Sequence, residues 1–181
     1  MDRLEHIIEG CRSGDRKAQN ELYQLFAGKM FAVCMRYARN YDEAKDNLQD
    51  GFINVFRHIG QFRQEGSFEG WVRRIMVNAC LQKYRNQFLL YPLTGQEKNE
   101  ELTIENVTEQ MTVNDLSAII QELPPRYKLV FNLYAVEGYN HKEIAGMLGI
   151  TEGTSKSNLS RARDILQGKL KKQMESTVNI G

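Results

Sequence analysis

The chain has little that would support catalysis or metal chemistry. Its three histidines, His6, His58 and His141, stand far apart. It has no glycine-rich loop of the phosphate-cradling kind, and no two carboxylates stand out as an acid and base. These gaps argue against an enzyme with a helical N-terminal domain, and no catalytic residue, metal or cofactor is expected. Cysteine is equally sparse: Cys11, Cys34 and Cys80 lack metal-ligand spacing, and an odd count completes no disulfide framework. They read as reduced helix residues of a cytoplasmic protein, with Cys34 and Cys80 packed inside. No apolar run approaches the roughly 20 residues of a membrane span, and the start, MDRLEHIIEGC, is too charged for a signal peptide. No membrane insertion is expected. Strand-like alternation is also missing from residues 3–86, which read as helix nearly throughout.

The 181 residues suffice for one or two modest domains with a real core. Hydrophobic content of 41% and charged content of 26% are those of a globular protein. The formal net charge of +1 averages over unlike segments. Residues 1–90 carry 14 Lys+Arg against 11 Asp+Glu, residues 91–115 carry 1 against 6, and residues 116–181 carry 9 against 6. Two basic lobes joined by an acidic connector suit a protein whose ends both touch a polyanion.

In the first lobe, Leu22, Leu25, Phe26, Met30, Val33 and Tyr37 form one apolar stripe. Asn40 and Glu43 make a capping box for a second helix, in which Ala44, Leu48, Phe52, Val55, Ile59 and Phe62 recur at steps of three and four. Asp46, Gln49, Asp50, Asn54 and Arg57 lie along its polar side. After RQEGS, Ser67 caps a third helix with Phe68, Val72, Ile75 and Ala79 inward. Around it Phe62, Phe68 and Trp71 are interleaved with Arg73, Arg74, Asn78, Lys83 and Arg85. Aromatic faces with nearby cations and amides are what single-stranded nucleic acid requires.

Residues 91–112 lack a sustained apolar period and read as a linker. Helix resumes near Val113, LPPRY stops and restarts it, and the segment from 140 to 166 reads as two helices around a tight turn. Asn140 and Glu143 form a capping box, Ile144, Ala145 and Leu148 the apolar side, and Gly149 the stop. His141 reads as an exposed polar residue. Thr151 caps the second helix, whose Ser155, Leu159, Ala162 and Leu166 face inward. The opposite face carries Ser157, Ser160, Arg161 and Asp164, flanked by Lys156 and Arg163, a set suited to a major groove.

Taken in order, three stretches resemble the extracytoplasmic-function (ECF) group of bacterial sigma factors: DEAKDNLQDGFINVFRHIGQF, GSFEGWVRRIMVNACLQKYR and LPPRYKLVFNLYAVEGYNHKEIAGMLGITEGTSKSNLSRAR. The resemblance implies an all-α protein of two small helical domains. Residues 1–90 would be sigma region 2, 91–112 a flexible acidic linker, and 113–175 the helix-turn-helix of region 4. It further implies that Asp46, Gln49, Asp50 and Asn54 meet the coiled-coil of the polymerase β′ clamp, with the β subunit a further contact. The loop from Phe62 to Phe68 would receive a base flipped from the non-template single strand of the −10 element, near Trp71, Arg74, Asn78 and Lys83. Lys156, Ser157, Ser160 and Arg161 would contact the −35 duplex.

A separate anti-sigma factor is expected as regulator, since no added sensory domain is expected after the helix-turn-helix. The family commonly has valine where Ser155 stands, arginine where Asn158 stands and an acidic residue near Gln82. Ser155 is therefore expected to weaken packing of the second helix. The competing reading is a polymerase-independent helix-turn-helix regulator, but a receiver-type domain of alternating strands and helices is not apparent in residues 1–90.

Overall fold

The computed structural model describes residues 3–90 and 113–178, and side chains over 3–85 and 116–172. Expectations for residues 91–112 lie outside the described residues. Two compact units divide the chain, Met1–Tyr84 and Arg85–Gly181. The described residues form helices and no strand.

The first unit contains α1 (Arg3–Arg12), α2 (Arg16–Tyr37), α3 (Tyr41–His58) with a 3-10 turn at Ile59–Gln61, and α4 (Phe68–Leu90) as far as Tyr84. Its centre is α2, whose Leu22, Phe26, Met30, Val33 and Tyr37 are buried at steps of four, four, three and four. Leu25 does not join them and is 48% exposed. It lies about 60° around the helix from Leu22, outside the sector that the neighbouring helices cover. From α3, Ala44, Leu48, Phe52 and Val55 face the core, continued by Ile59 and Phe62. Each buried side chain of this size contributes roughly 1.5–3 kcal/mol.

Close approach requires small residues at two crossings. A Cβ on Gly51 would lie 2.1 Å from Met76 Sδ, and one on Gly10 would lie 2.6 Å from Ala18 Cβ. Gly51 thus lets α3 meet α4, while Gly10 seats α1 against α2. In α4 the inward residues are Val72, Met76, Val77, Ala79, Cys80, Leu81 and Tyr84. Ile75, expected inside, is half-buried because Met76 takes the position four residues beyond Val72. Tyr84 ties α4 back to α2 by donating its hydroxyl to the Tyr37 carbonyl at 3.0 Å. All three cysteines are buried and unbridged. Burial, followed by the charge of Asp15, pushes the Cys11 thiol up to about 11. Contact with Cys34 and burial push Cys80 far above the ordinary thiol range. Cys11 and Cys80 are thus packing groups rather than nucleophiles.

The cap of α3 differs in one detail from the capping box expected. Asn40 accepts from the Glu43 amide at 2.8 Å, but the Glu43 carboxylate accepts from the Arg39 amide at 2.7 Å and from its guanidinium at 3.1 Å. The guanidinium competes for the carboxylate and moves the reciprocal bond one residue outward. Burial raises the Glu43 pKa, but the Arg39 hydrogen bonds and the charges of Arg39 and Lys83 outweigh it, leaving the carboxyl below its usual range.

The second unit contains α5 (Val113–Gln121), α6 (Pro125–Phe131) running into a π turn at Asn132–Val136, α7 (His141–Leu148) and α8 (Glu152–Val178). Pro125 opens α6 where its missing N–H costs nothing. The capping box of α7 is complete, with Asn140 and Glu143 bonded reciprocally at 2.9 and 2.8 Å. Gly149 ends the helix at φ 68°, a conformation that favours glycine. Thr151 then accepts from the Thr154 amide at 3.1 Å and starts α8. Leu159, Ala162 and Leu166 of α8 pack in the core, where Ile119, Leu123, Ala162 and Leu166 cluster beneath Tyr127 and Phe131.

Ser155 is fully buried, and its hydroxyl meets His141 Nδ1 at 2.9 Å. The expected packing defect is thus offset by a polar pair. His141 is half-buried rather than simply exposed, and it stacks on Tyr134 with centroids 4.8 Å apart. Tyr134 itself is 37% exposed at the π turn, where the wider helix turns its ring out of the core. Burial lowers the His141 pKa, and Lys156 and Arg163 lower it further.

Because the folded pKa lies below the unfolded value near 6.5, the unfolded chain takes up protons that the folded one refuses. Stability from His141 is therefore complete above about pH 6.5 and lost as pH falls through the folded pKa. Denaturant midpoints should fall on acidification from about pH 7.5 to about pH 5.5, and His141→Gln should flatten that fall.

Candidate functional site

Three polar surfaces remain once the inner stripes are buried. On α3, Asp46, Gln49 and Asp50 are exposed, and Asn54 is half-buried. Asn54 Oδ1 accepts from Arg57 at 3.4 Å, and its carbonyl lies 2.8 Å from His58 Nδ1. The face is not wholly polar, because Ile53 is 46% exposed at its centre. Sequence reading missed Ile53, although the spacing 46, 50, 53, 57 marks it as an outward residue. An isoleucine ringed by two carboxylates and an amide suits a protein surface more than a nucleic acid.

The second surface surrounds the loop between α3 and α4. Phe62 and Phe68 are buried, with ring centroids 5.0 Å apart, and half-buried Trp71 lies 5.5 Å from Phe62 and 5.6 Å from Phe68. The two phenylalanines thus close the base of the loop instead of presenting open faces. Arg63, Gln64, Glu65, Gly66 and Ser67 between them are exposed. Ser67 caps α4 by accepting from the Gly70 amide at 3.1 Å. Trp71, Arg74 and Asn78 follow at steps of three and four, so they share a face, and Arg74 and Asn78 are exposed. Lys83 lies about 180° around α4 from Arg74 and acts on Glu43 of α3. It is not brought together with the other three.

The third surface belongs to α8. Lys156 and Arg161 are exposed and Ser160 is half-buried. Ser157 is buried, 5% exposed, and donates its hydroxyl to the Thr154 carbonyl at 3.3 Å. Of the four residues it alone is not presented outward. Arg163 is drawn to Tyr134, its guanidinium carbon 5.8 Å from the ring centroid. Among the described residues no cluster of three or more His, Cys, Asp or Glu could hold a metal, and no helix is long and apolar enough to cross a membrane.

These surfaces sit on segments with known counterparts. The sequence profile of Sigma-70 region 2 matches residues 22–88, and that of Sigma-70 region 4 matches residues 114–166. ECF RNA polymerase sigma factor SigM of Mycobacterium tuberculosis is 30% identical over 169 residues, covering 93% of this chain and 84% of that protein. ECF RNA polymerase sigma factor SigE of Mycolicibacterium smegmatis is 29% identical over 174 residues, covering 91% of this chain and 67% of that protein. Among solved structures, the sigma factor RpoE of Bartonella quintana, determined with the anti-sigma factor NepR, shares the fold. Its TM-score is 0.52 at 21% identity, over 84% of this chain and 96% of that one. With both profiles in order along one chain and SigM aligned over nearly all of it, the protein belongs to the ECF RNA polymerase sigma factors.

Proposed function

We propose that the chain confers promoter specificity on core RNA polymerase, with residues 1–90 acting as region 2 and 113–175 as region 4. The observation that carries this reading is the ordered pair of region 2 and region 4 segments, each leaving a polar helix face outside its core. Asp46, Gln49, Asp50 and Asn54, with Ile53 among them, dock on the β′ clamp. The loop from Phe62 to Phe68 takes a flipped −10 base beside Trp71, Arg74 and Asn78. Lys156, Ser160 and Arg161 meet the −35 duplex, and Ser157 shapes that face from beneath.

Catalysis remains with the polymerase, so the chain works without turnover of its own and in the cytoplasm. Unstacking costs a few kcal/mol per base, and a pocket for the flipped base offsets part of it. The solved pairing of RpoE with NepR supports an anti-sigma factor as regulator here too.

Transcripts made from genomic DNA by core polymerase plus this protein should start at discrete sites sharing two upstream motifs at fixed spacing. Binding to DNA alone, with no association with core, would instead indicate a polymerase-independent regulator. Replacing Asp50 and Asn54 by alanine should weaken core binding by about tenfold with unchanged helix content; equal affinity would remove them from the interface. Arg161→Ala should cost about 1–3 kcal/mol at promoters that depend on their −35 element. Transcription at such promoters, compared with promoters lacking that dependence, measures it.

A further inference from the structure

Helix α1 lies outside the residues matched by the region 2 profile, which begin at 22. It nevertheless reaches the loop between α3 and α4. Arg12, in its last turn, donates from Nη2 to the carbonyl of Phe62 at 2.9 Å, across 50 residues of sequence, and from Nη1 to Glu9 at 3.1 Å. Phe62 is the residue from which the loop departs. Its amide is held as well, donating to the Ile59 carbonyl at 3.2 Å, and its ring is buried against Phe68 and Trp71. Two residues later Gln64 adopts φ 59°, and among the described residues it is the only non-glycine with positive φ. A glutamine keeps that disfavoured conformation only where the flanking structure enforces it.

We propose that Arg12 is a positioning residue for promoter reading, fixing the exit of the loop from Phe62 and so the shape in which residues 63–67 meet a flipped base. The inference rests on the reading of this loop as the −10 base receiver. The guanidinium suits the task because its planar fork holds Glu9 with one nitrogen and Phe62 with another, which sets the direction of both bonds. A lysine would keep the charge but lose the fork. Gln64 registers the result, since its strained backbone persists only in an anchored loop.

The test uses the full chain bound to core polymerase. Its probes are single-stranded non-template −10 oligonucleotides from a promoter mapped by transcript 5′ ends, carrying each of the four bases, or none, at the flipped position. Wild-type protein should prefer one base. Arg12→Ala and Arg12→Lys should both reduce that preference by about five- to tenfold, with core affinity and helix content unchanged. Gln64→Gly, which relieves the positive φ and keeps the fold, should lose preference similarly while its unfolding midpoint stays the same or rises.

If Arg12→Lys retains the wild-type preference, the charge matters and the positioning role is overturned. Preference retained in both Arg12 variants likewise overturns the inference and leaves the loop reading standing. If the wild-type protein prefers no base, the loop reading itself fails and the role of Arg12 with it.

Discussion

The structure depends on the fact that a helix has a single rotational setting. Once Ala44, Leu48, Phe52 and Val55 of α3 are buried, the outward directions of Asp46, Gln49, Asp50 and Ile53 are determined. The same holds for α4, where burial of Val72, Met76 and Cys80 sends Arg74 and Asn78 out, and for α8, where Leu159, Ala162 and Leu166 leave Lys156 and Arg161 in solvent. The apolar contacts supply the stability, and the polar faces are held in place by that burial. Gly51 matters because a Cβ there would collide with the Met76 side chain that packs against α3.

Charge follows from the same division. A chain of net charge +1 is an unpromising ligand for DNA if taken as an average. Some of its acidic groups, however, are set apart from the cations Arg74, Lys156 and Arg161: Asp46 and Asp50 share one face of α3, and Glu43 is buried under Arg39. On α8, Asp164 shares the outward face with Arg161, and Lys156 and Arg163 flank it. Local field, not net charge, decides what a face can accept, so a carboxylate-bearing face and cation-bearing faces coexist in a nearly neutral chain.

Features set by residues within one helical turn were legible in the sequence. The Asn140 and Glu143 box, the Gly149 stop, the Thr151 cap and the inner face of α8 all stand as their spacing implies. Misjudged features involve a competitor that spacing does not contain. Arg39 takes the Glu43 carboxylate from Asn40, Met76 takes the inward place expected of Ile75, and Leu25 is left 48% exposed. Ser155 looks like a defect until His141, fourteen residues earlier, is seen to hydrogen-bond its hydroxyl. The Phe62 and Phe68 pair and the Arg12 anchor bring together residues from separate helices, so no periodicity announces them. The resemblance could point to the loop, but only the fold shows what holds its ends.

Those ends matter because of the size of the energies. Fixing the backbone of one residue costs about 1–2 kcal/mol, so ordering a free loop of residues 63–67 at the moment of binding would cost about 5–10 kcal/mol. Capturing a base already carries an unstacking cost of a few kcal/mol. A loop that had to order itself as well would lose more than one captured base returns. The Phe62 and Phe68 contact, the Ser67 cap and the Arg12 bond move that ordering into the folding of the first unit, where the burial of α2, α3 and α4 sustains it. The positive φ of Gln64 is the residual strain of such an anchored loop, and its place in the one segment proposed to hold a single base is where preorganisation has the most effect on specificity.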